Sequence, residues 1–375
     1  MNKLSDRLIS LDVFRGLTIA GMILVNNPGT WSKVYKPLLH APWNGWTPTD
    51  FIFPFFLFIV GVAMSFSLTK RIERGDSKSE LYGKIVRRTL IIFGIGFFLN
   101  LFPEFNFKEV RIPGVLQRIA LCYFFASVIM VEANKKWQIG WTISLLAVYW
   151  ILVKLVPVPG YGAGVLEAKG SLCWFLDSKL LAGHTWKGAP APGFDPEGIL
   201  STLPAICTVM FGIFAGDWIR SGREQYEKVS GLFVAGIVGL VLAEVLKGWL
   251  PINKNLWTST YSIFMAGMAL IFLAMCYWLI DIKGYKSWGK PFIVFGSNAI
   301  LVFSLASLVA KITIKVKWIQ PDGSEIMLKT FLYKTLFASW AGVNEISSLL
   351  YPIVYLLVWL AIMWILYRKN IFVKI

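Results

Sequence analysis

Long apolar runs cross this chain from end to end, each near the length that spans a bilayer. About 20 helical residues, rising 1.5 Å each, cover roughly 30 Å of hydrocarbon. The runs are Leu11–Asn27, Thr47–Thr69, Thr89–Phe102, Gly114–Val131, Ile139–Val156, Ile199–Ile219, Val229–Leu246, Tyr261–Ile280, Phe292–Ile314 and Leu350–Tyr367. Backbone surrounded by lipid has no water to bond, so such runs fold as helices. The sequence therefore predicts an all-α polytopic transmembrane helical bundle of about ten helices. Residues 1–375 are expected to form a single membrane-embedded domain. The third run is short by itself, and Phe331–Trp340 reads as an interfacial or re-entrant piece. Composition agrees: 56% of residues are hydrophobic and 15% charged, and a mean hydropathy of +0.63 excludes an ordinary water-soluble domain.

The formal charge of +16 sits in short clusters between the apolar runs, not along one amphipathic face. That is the pattern of membrane topology, and it argues against a nucleic-acid partner. Lys and Arg gather on cytoplasmic connections. With the N-terminus inside, the clusters fall together on that side: Lys70, Arg71, Arg74, Lys78, Lys84, Arg87 and Arg88; Lys135 and Lys136; Arg220, Arg223 and Lys228; Lys283, Lys286 and Lys290; Arg368, Lys369 and Lys374. The opposite loops carry roughly a third of that density. Both termini are expected in the cytoplasm, and the location is expected to be the inner (cytoplasmic) membrane. Met1–Arg7 is short and basic, and no small-residue cleavage site follows it, so the first helix is expected to be retained. Three outward-facing loops remain, 28–46, 157–198 and 315–349. Segments this long usually carry function. The second is rich in Gly and Pro and reads as an irregular lid. Cys122, Cys207 and Cys276 lie in apolar runs as small buried hydrophobes. Cys173 lies in a polar loop, where it is either free or paired between subunits.

Few residues are suited to chemistry. The two histidines, His40 and His184, both fall on the outer side. His40 opens the stretch His-Ala-Pro-Trp-Asn-Gly-Trp-Thr-Pro-Thr-Asp, which leads into the second helix. A neutral imidazole serves as nucleophile or general base, and it needs an acceptor to fix its tautomer. Asp50 is the nearest carboxylate in sequence. It also fits a capping role, with Thr47 as N-cap and Pro48 as the first helical residue. His40 beside Trp43 and Trp46 also fits an interfacial anchor. Polar residues inside the apolar runs face the protein interior, because lipid charges heavily for them. Asp12 and Arg15 are one helical turn apart and can pair. Asn26 and Asn27 end the first helix, where an amide donates to an oxyanion or only caps carbonyls. Gln117 and Arg118 sit in the outer part of the fourth run, an expensive place for a cation unless it meets an anion. Asn298 is a weaker case of the same kind. There is no metal-ligand spacing, no Walker A sequence and no GxGxxG after a strand, so no metal, ATP-driven pump or dinucleotide enzyme is predicted.

Several pieces then match in order: Arg7-Leu-Ile-Ser-Leu-Asp-Val-Phe-Arg-Gly, Leu24-Val-Asn-Asn, the His40 stretch through Phe-Ile-Phe-Pro-Phe-Phe, Arg111-Ile-Pro-Gly-Val-Leu-Gln-Arg, Phe194-Asp-Pro-Glu-Gly-Ile-Leu, Gly296-Ser-Asn-Ala-Ile-Leu-Val and the tail from Tyr367. Together they resemble the heparan-α-glucosaminide N-acetyltransferase family over nearly the whole chain. The resemblance implies a transmembrane acyltransferase fold that takes acetyl from cytoplasmic acetyl-CoA and delivers it to the amine of a terminal glucosamine or related amino sugar on the far side. It implies catalytic roles for His40, Asp50 and Asn26, and it makes a homodimer plausible. Arg118, Gln117, Asn298 and Arg15 are the expected contacts for acetyl-CoA. The chain starts at the Arg7 motif, lacking the extra N-terminal region of the lysosomal members, and Asn27-Pro28-Gly29-Thr30-Trp31 replaces a more glycine-rich stretch. The acceptor glycan is therefore the least transferable part. The rival readings are an O-acetyltransferase of a surface polysaccharide and a transporter of a glycan or lipid-linked intermediate.

Overall fold

The computed structural model describes residues 8–320 and 322–373; Arg7 of the first motif and Lys374 of the basic tail lie outside them. Helix follows the apolar runs. In chain order the helices are α1 (Ile9–Asn26), α2 (Ile52–Glu73), α3 (Lys78–Leu101), α4 (Val115–Glu132), α5 (Lys135–Leu155), α6 (Leu172–Leu180), α7 (Thr202–Arg220), α8 (Gln225–Leu246), α9 (Ser259–Cys276), α10 (Lys290–Ser297), α11 (Ala299–Lys315), α12 (Leu328–Tyr333), α13 (Ser339–Ala341) and α14 (Glu345–Arg368). Polar caps start several of them. The side chains of Ser77, Asn134, Ser171 and Asn344 each accept from a backbone N–H of the first turn, satisfying a donor that has no partner inside the helix.

Among the described residues eight helices are long and apolar enough to cross a membrane. The count reaches nine if the pair α10 and α11, bent by 73° at Asn298, is taken as one span. The remaining expected run, Thr89–Phe102, is helical too, as the second half of α3, whose first half carries Lys78, Lys84, Arg87 and Arg88. The chain is thus a multi-pass membrane protein. Among the described residues the one sheet is a hairpin of β1 (Lys317–Ile319) and β2 (Glu325–Met327), with Trp318 opposite Ile326. The piece expected to be interfacial, Phe331–Trp340, is a short broken helix: α12, a π turn at Lys334–Ala338, then α13.

The described residues fall into two compact units. One comprises 8–41, 47–52 and 276–373. In it α1 and α10 touch backbone to backbone, because a Cβ on Gly16 would lie 1.8 Å from the Phe292 carbonyl oxygen and one on Gly296 would lie 2.2 Å from that of Asp12. The other comprises 42–46 and 53–275. There α2 and α7 approach in the same way, Gly61 against the Val209 carbonyl and Gly212 against that of Phe58, each 2.0 Å from a built Cβ. Small residues replace the hydrophobic effect as the means of bringing helices together in lipid.

The long loop is more ordered than the sequence suggested. Instead of an irregular lid, 157–198 contains α6 and packs Leu172, Cys173, Ala191 and Phe194 with Tyr149, Leu250 and Leu256. The Gly and Pro residues make the turns, while the apolar residues between them supply a core. Cys173 is therefore buried, not exposed for pairing between subunits, and all four cysteines are free.

A side chain at Gly212 must push α2 and α7 apart, whereas Gly94 faces open space. Gly212→Ala is expected to cost about 1–3 kcal/mol and to lower the thermal midpoint of the detergent-purified protein. Gly94→Ala should leave that midpoint unmoved.

Candidate active site

His40 and Asp50 lie in the first unit, ten residues apart on the stretch that enters α2. The carboxylate of Asp50 is fully buried and 2.7 Å from His40 Nδ1. Its second oxygen accepts from the backbone N–H of Ala41 at 3.0 Å and of Thr47 at 2.9 Å. The last contact is half of a capping box at the 3₁₀ turn Pro48–Phe51 that precedes α2. The capping and the histidine-orienting readings of Asp50 hold together, one on each oxygen. Facing a carboxylate, Nδ1 carries the proton, which leaves Nε2 with the basic lone pair. The imidazole is 53% exposed while its anchor is closed to solvent. Such a pair can hold a ring in one orientation and offer one nitrogen to a substrate.

The other residues of this unit divide by use. Asn27 caps α1, its Nδ2 donating to the Ile23 carbonyl at 2.8 Å, and the neighbouring Asn26 side chain is exposed. Arg15 pairs with Asp12 at 3.2 Å and donates to the Gly296 carbonyl. Asn298 fills the break between α10 and α11, donating to the Ile371 carbonyl and accepting from Val373 N–H. Both ends of its amide hold the tail.

The second unit has its own buried polar group. Arg118 on α4 is 1% exposed. It donates to the Gly198 carbonyl at 2.9 Å and to the Ser201 hydroxyl, and it lies over the Trp257 ring. The sequence called for an anion beside this arginine, but its direct contacts are a carbonyl, a hydroxyl and an indole face. Its Nε and Nη1 have no hydrogen-bond partner among the described residues, and neither has Nε2 of the buried Gln117. Unsatisfied donors in a low-dielectric interior are costly and attract an acceptor. In the loop 42–46, Trp43 donates to the Leu166 carbonyl and Asn44 pairs with Asn253. His184 is tied to the Val110 carbonyl at 2.8 Å.

Linear reading missed an ionic cluster in this unit. Arg111 binds Asp195 through two nitrogens and also binds Glu197, with its guanidinium over Trp186. Both partners lie within motif pieces already singled out, but no spacing pairs residues 84 apart. Burial opposes the charges of Arg111 and Glu197, yet their mutual attraction wins: the guanidinium is held above its usual range, and Glu197, with help from Arg118 and Lys254, is held below its own. Asp177 on α6 differs. It is fully buried with one oxygen unpartnered, and burial pushes its carboxyl up to about 7 against the opposing hydrogen bond from Ile199 N–H.

Comparison with known proteins agrees with the motifs. The model of the family described as heparan-alpha-glucosaminide N-acetyltransferase, catalytic, matches residues 7–240. The mouse heparan-alpha-glucosaminide N-acetyltransferase is 29% identical over an alignment of 424 residues covering 99% of this chain, and the human protein of the same name is 29% identical over 428 residues covering 100% of it. The chain belongs to this family. It spans 61% of the length of either relative. Among the described residues no group of three His, Cys, Asp or Glu is placed to hold a metal ion.

Removing Arg111 strands two buried carboxylates. Arg111→Ala is expected to cost about 3–5 kcal/mol, read as lost thermal stability. Asp177 gives a pH signature. Its folded pKa is raised, so the fold favours the protonated acid; that contribution is complete below the ordinary value of 3.8 and is lost as pH rises through about 7. Relative to Asp177→Asn, the wild type should lose thermal stability between pH 5 and 8. A difference between the two that stays constant with pH would contradict the shift.

Proposed function

We propose that the chain, acting over 1–375 as one membrane acyltransferase, takes acetyl from cytoplasmic acetyl-CoA and passes it to the amine of a terminal glucosamine or related amino sugar on the extracytoplasmic side. The observation that carries this reading is the His40–Asp50 pair, in which a buried carboxylate fixes the tautomer of an exposed imidazole. Family membership supports the reaction class. The two curated relatives are named for N-acetyl transfer to a glucosaminide.

In this reading Nε2 of His40 acts on the outer side. Along one route it attacks the thioester carbonyl, the C–S bond breaks, CoA leaves as thiolate, and the acetyl-imidazole is then attacked by the amine. Along the other it takes a proton from the sugar ammonium, and the freed amine attacks the thioester directly. Either route ends with a new amide and with the nitrogen's last displaced proton on CoA as the thiol; in the second, the proton that His40 took from the ammonium is then released to water, so His40 ends neutral in both. Asp50 orients the ring and stabilises its protonated form. Asn26 donates to the thioester or tetrahedral oxygen. The unpartnered guanidinium nitrogens of Arg118 and the amide of Gln117 suit an acidic or carbonyl acceptor on the donor. Arg15 and Asn298, expected as donor contacts, act here through their own unit, Arg15 by tying α1 to α10 and Asn298 by holding the tail.

The test is CoA release from acetyl-CoA by purified protein with glucosamine, with the product analysed for amide or ester. His40→Ala should lose about 10²–10⁴ of the turnover while remaining monodisperse and binding CoA. Asp50→Asn should lose a similar order. Full turnover in His40→Ala removes the assignment of that residue. A wild type that neither binds nor consumes acetyl-CoA with any amino sugar points to transport instead, and an ester product points to O-acetylation.

A further inference from the structure

A crevice in the second unit has no part in the proposed transfer. α4 and α5 are joined by only two residues, Ala133 and Asn134, yet hardly touch one another: α4 packs against α3 and then α7, and α5 mainly against α7. Above the shared turn they splay apart, leaving a cavity of about 730 Å³. Its walls are Leu121, Phe125 and Val128 of α4 with Trp141 and Leu145 of α5, and Leu203 and Ile206 of α7 lie at its upper end. Two polar side chains of its lining, Glu132 and Thr202, stand at its two ends and are already bonded. At one end Glu132 accepts from Lys78 at 2.7 Å and from Tyr82 at 2.9 Å. At the other Thr202 donates to the Gly198 carbonyl at 2.9 Å.

We infer that this crevice holds one hydrocarbon chain of a membrane phospholipid whose phosphate sits at the Glu132 end. Length, chemistry and charge converge on that occupant. All three walls are helices that cross the membrane, so the open side faces hydrocarbon and an apolar filler meets no competition from water. From Leu121 to Glu132 α4 rises roughly 16 Å, about half the roughly 30 Å thickness of the hydrocarbon core; this is the depth of one leaflet and the reach of one acyl chain. Trp137 and Trp141, 67% and 51% exposed, stand near the Glu132 end in the manner of interfacial aromatics. Lys78 is paired with Glu132 at that end, and Lys136, exposed, stands next to the lining Trp137 in the chain. Two cations around one carboxylate leave a positive excess, which complements a phosphate and not a neutral headgroup. A second copy of the chain would have to insert a narrow apolar wedge into a slot bounded by the exposed indoles of Trp137 and Trp141. The far end of the crevice reaches Ile199 and Thr202, beside the Gly198 carbonyl that also receives Arg118. A bound chain therefore braces the turn that positions this arginine. The inference rests on the membrane-spanning reading of α4, α5 and α7 and not on the acetyltransferase reaction.

Native mass spectrometry of the full chain in detergent, with phosphatidylglycerol or the matching diacylglycerol added, tests it. The wild type should keep one phosphatidylglycerol per chain after delipidation and hold the diacylglycerol at least tenfold more weakly. Narrowing the crevice with Val128→Phe and Leu203→Phe together should reduce retention at least tenfold. The surface variant Lys136→Glu, which leaves the walls intact, should weaken phosphatidylglycerol alone. Retention that is equal in all variants overturns the site, and equal retention of the two lipids overturns the phosphate. Efficient disulfide formation between two copies of Trp141→Cys in native membranes, without lipid retention, would give the crevice to a second copy instead.

Discussion

Hydrocarbon offers no hydrogen-bond partner, and most of this structure answers that constraint. It is why the apolar runs are helices, and why hydroxyls within them turn back on their own backbone, as Thr18 does to the Phe14 carbonyl, Thr89 to Ile85 and Thr142 to Gln138. It also governs the bend at Asn298. Where α10 gives way to α11, the Asn298 amide accepts and donates at once, so the exposed backbone of the tail is paired instead of stranded. Against this background, polar groups whose bonds are closed are structural by default. Those left open, at Arg118 and Gln117, stand out because the interior around them gives no compensation.

Two buried carboxylate arrangements show how charge is handled at the ends of the helices. Asp50 is surrounded by N–H groups: two backbone amides on one oxygen and the imidazole on the other. Because the amides already solvate the carboxylate, the histidine is free to remain mostly exposed without leaving a bare charge behind it. The Arg111 cluster works the other way, with one guanidinium enclosed by two carboxylates and an indole face. It has little left to offer a ligand and ties the segment around 195–197 to the residues before α4. The first arrangement leaves an oriented ring open to solvent; the second holds a loop in place.

How much of this was legible from sequence depended on the distance over which each feature is decided. The spans were visible because burial in lipid is a local property of 20 residues, and the His40–Asp50 pair was within reach because ten residues and a Thr-Pro cap bring the two together. The split of α10 from α11 was not, since Phe292–Ile314 reads as one long apolar run in which Ser297-Asn298 is no more prominent than Ser304, Ser307 or Lys311. The long loop was misread because its glycines and prolines dominate the composition, while Leu172 and Phe194 are widely spaced and gain meaning only when packed with Tyr149 and Leu256. The partners of Arg118 are carbonyl, hydroxyl and indole, groups so common along the chain that no sequence pattern picks them out.

The exposure of His40 bears on the choice between the two chemical routes. An acetyl-imidazole is attacked readily by water, so an enzyme that accumulates one must keep solvent away for the lifetime of the intermediate. A ring that is 53% exposed has no such protection from the residues of its own unit. General-base transfer asks less of the surroundings, because the acetyl group stays on CoA until the amine arrives and the acceptor itself then covers the imidazole. The fixed tautomer serves both routes equally, so within the proposed transfer it is the solvent access of the ring, and not its hydrogen bonding, that favours direct attack by the amine.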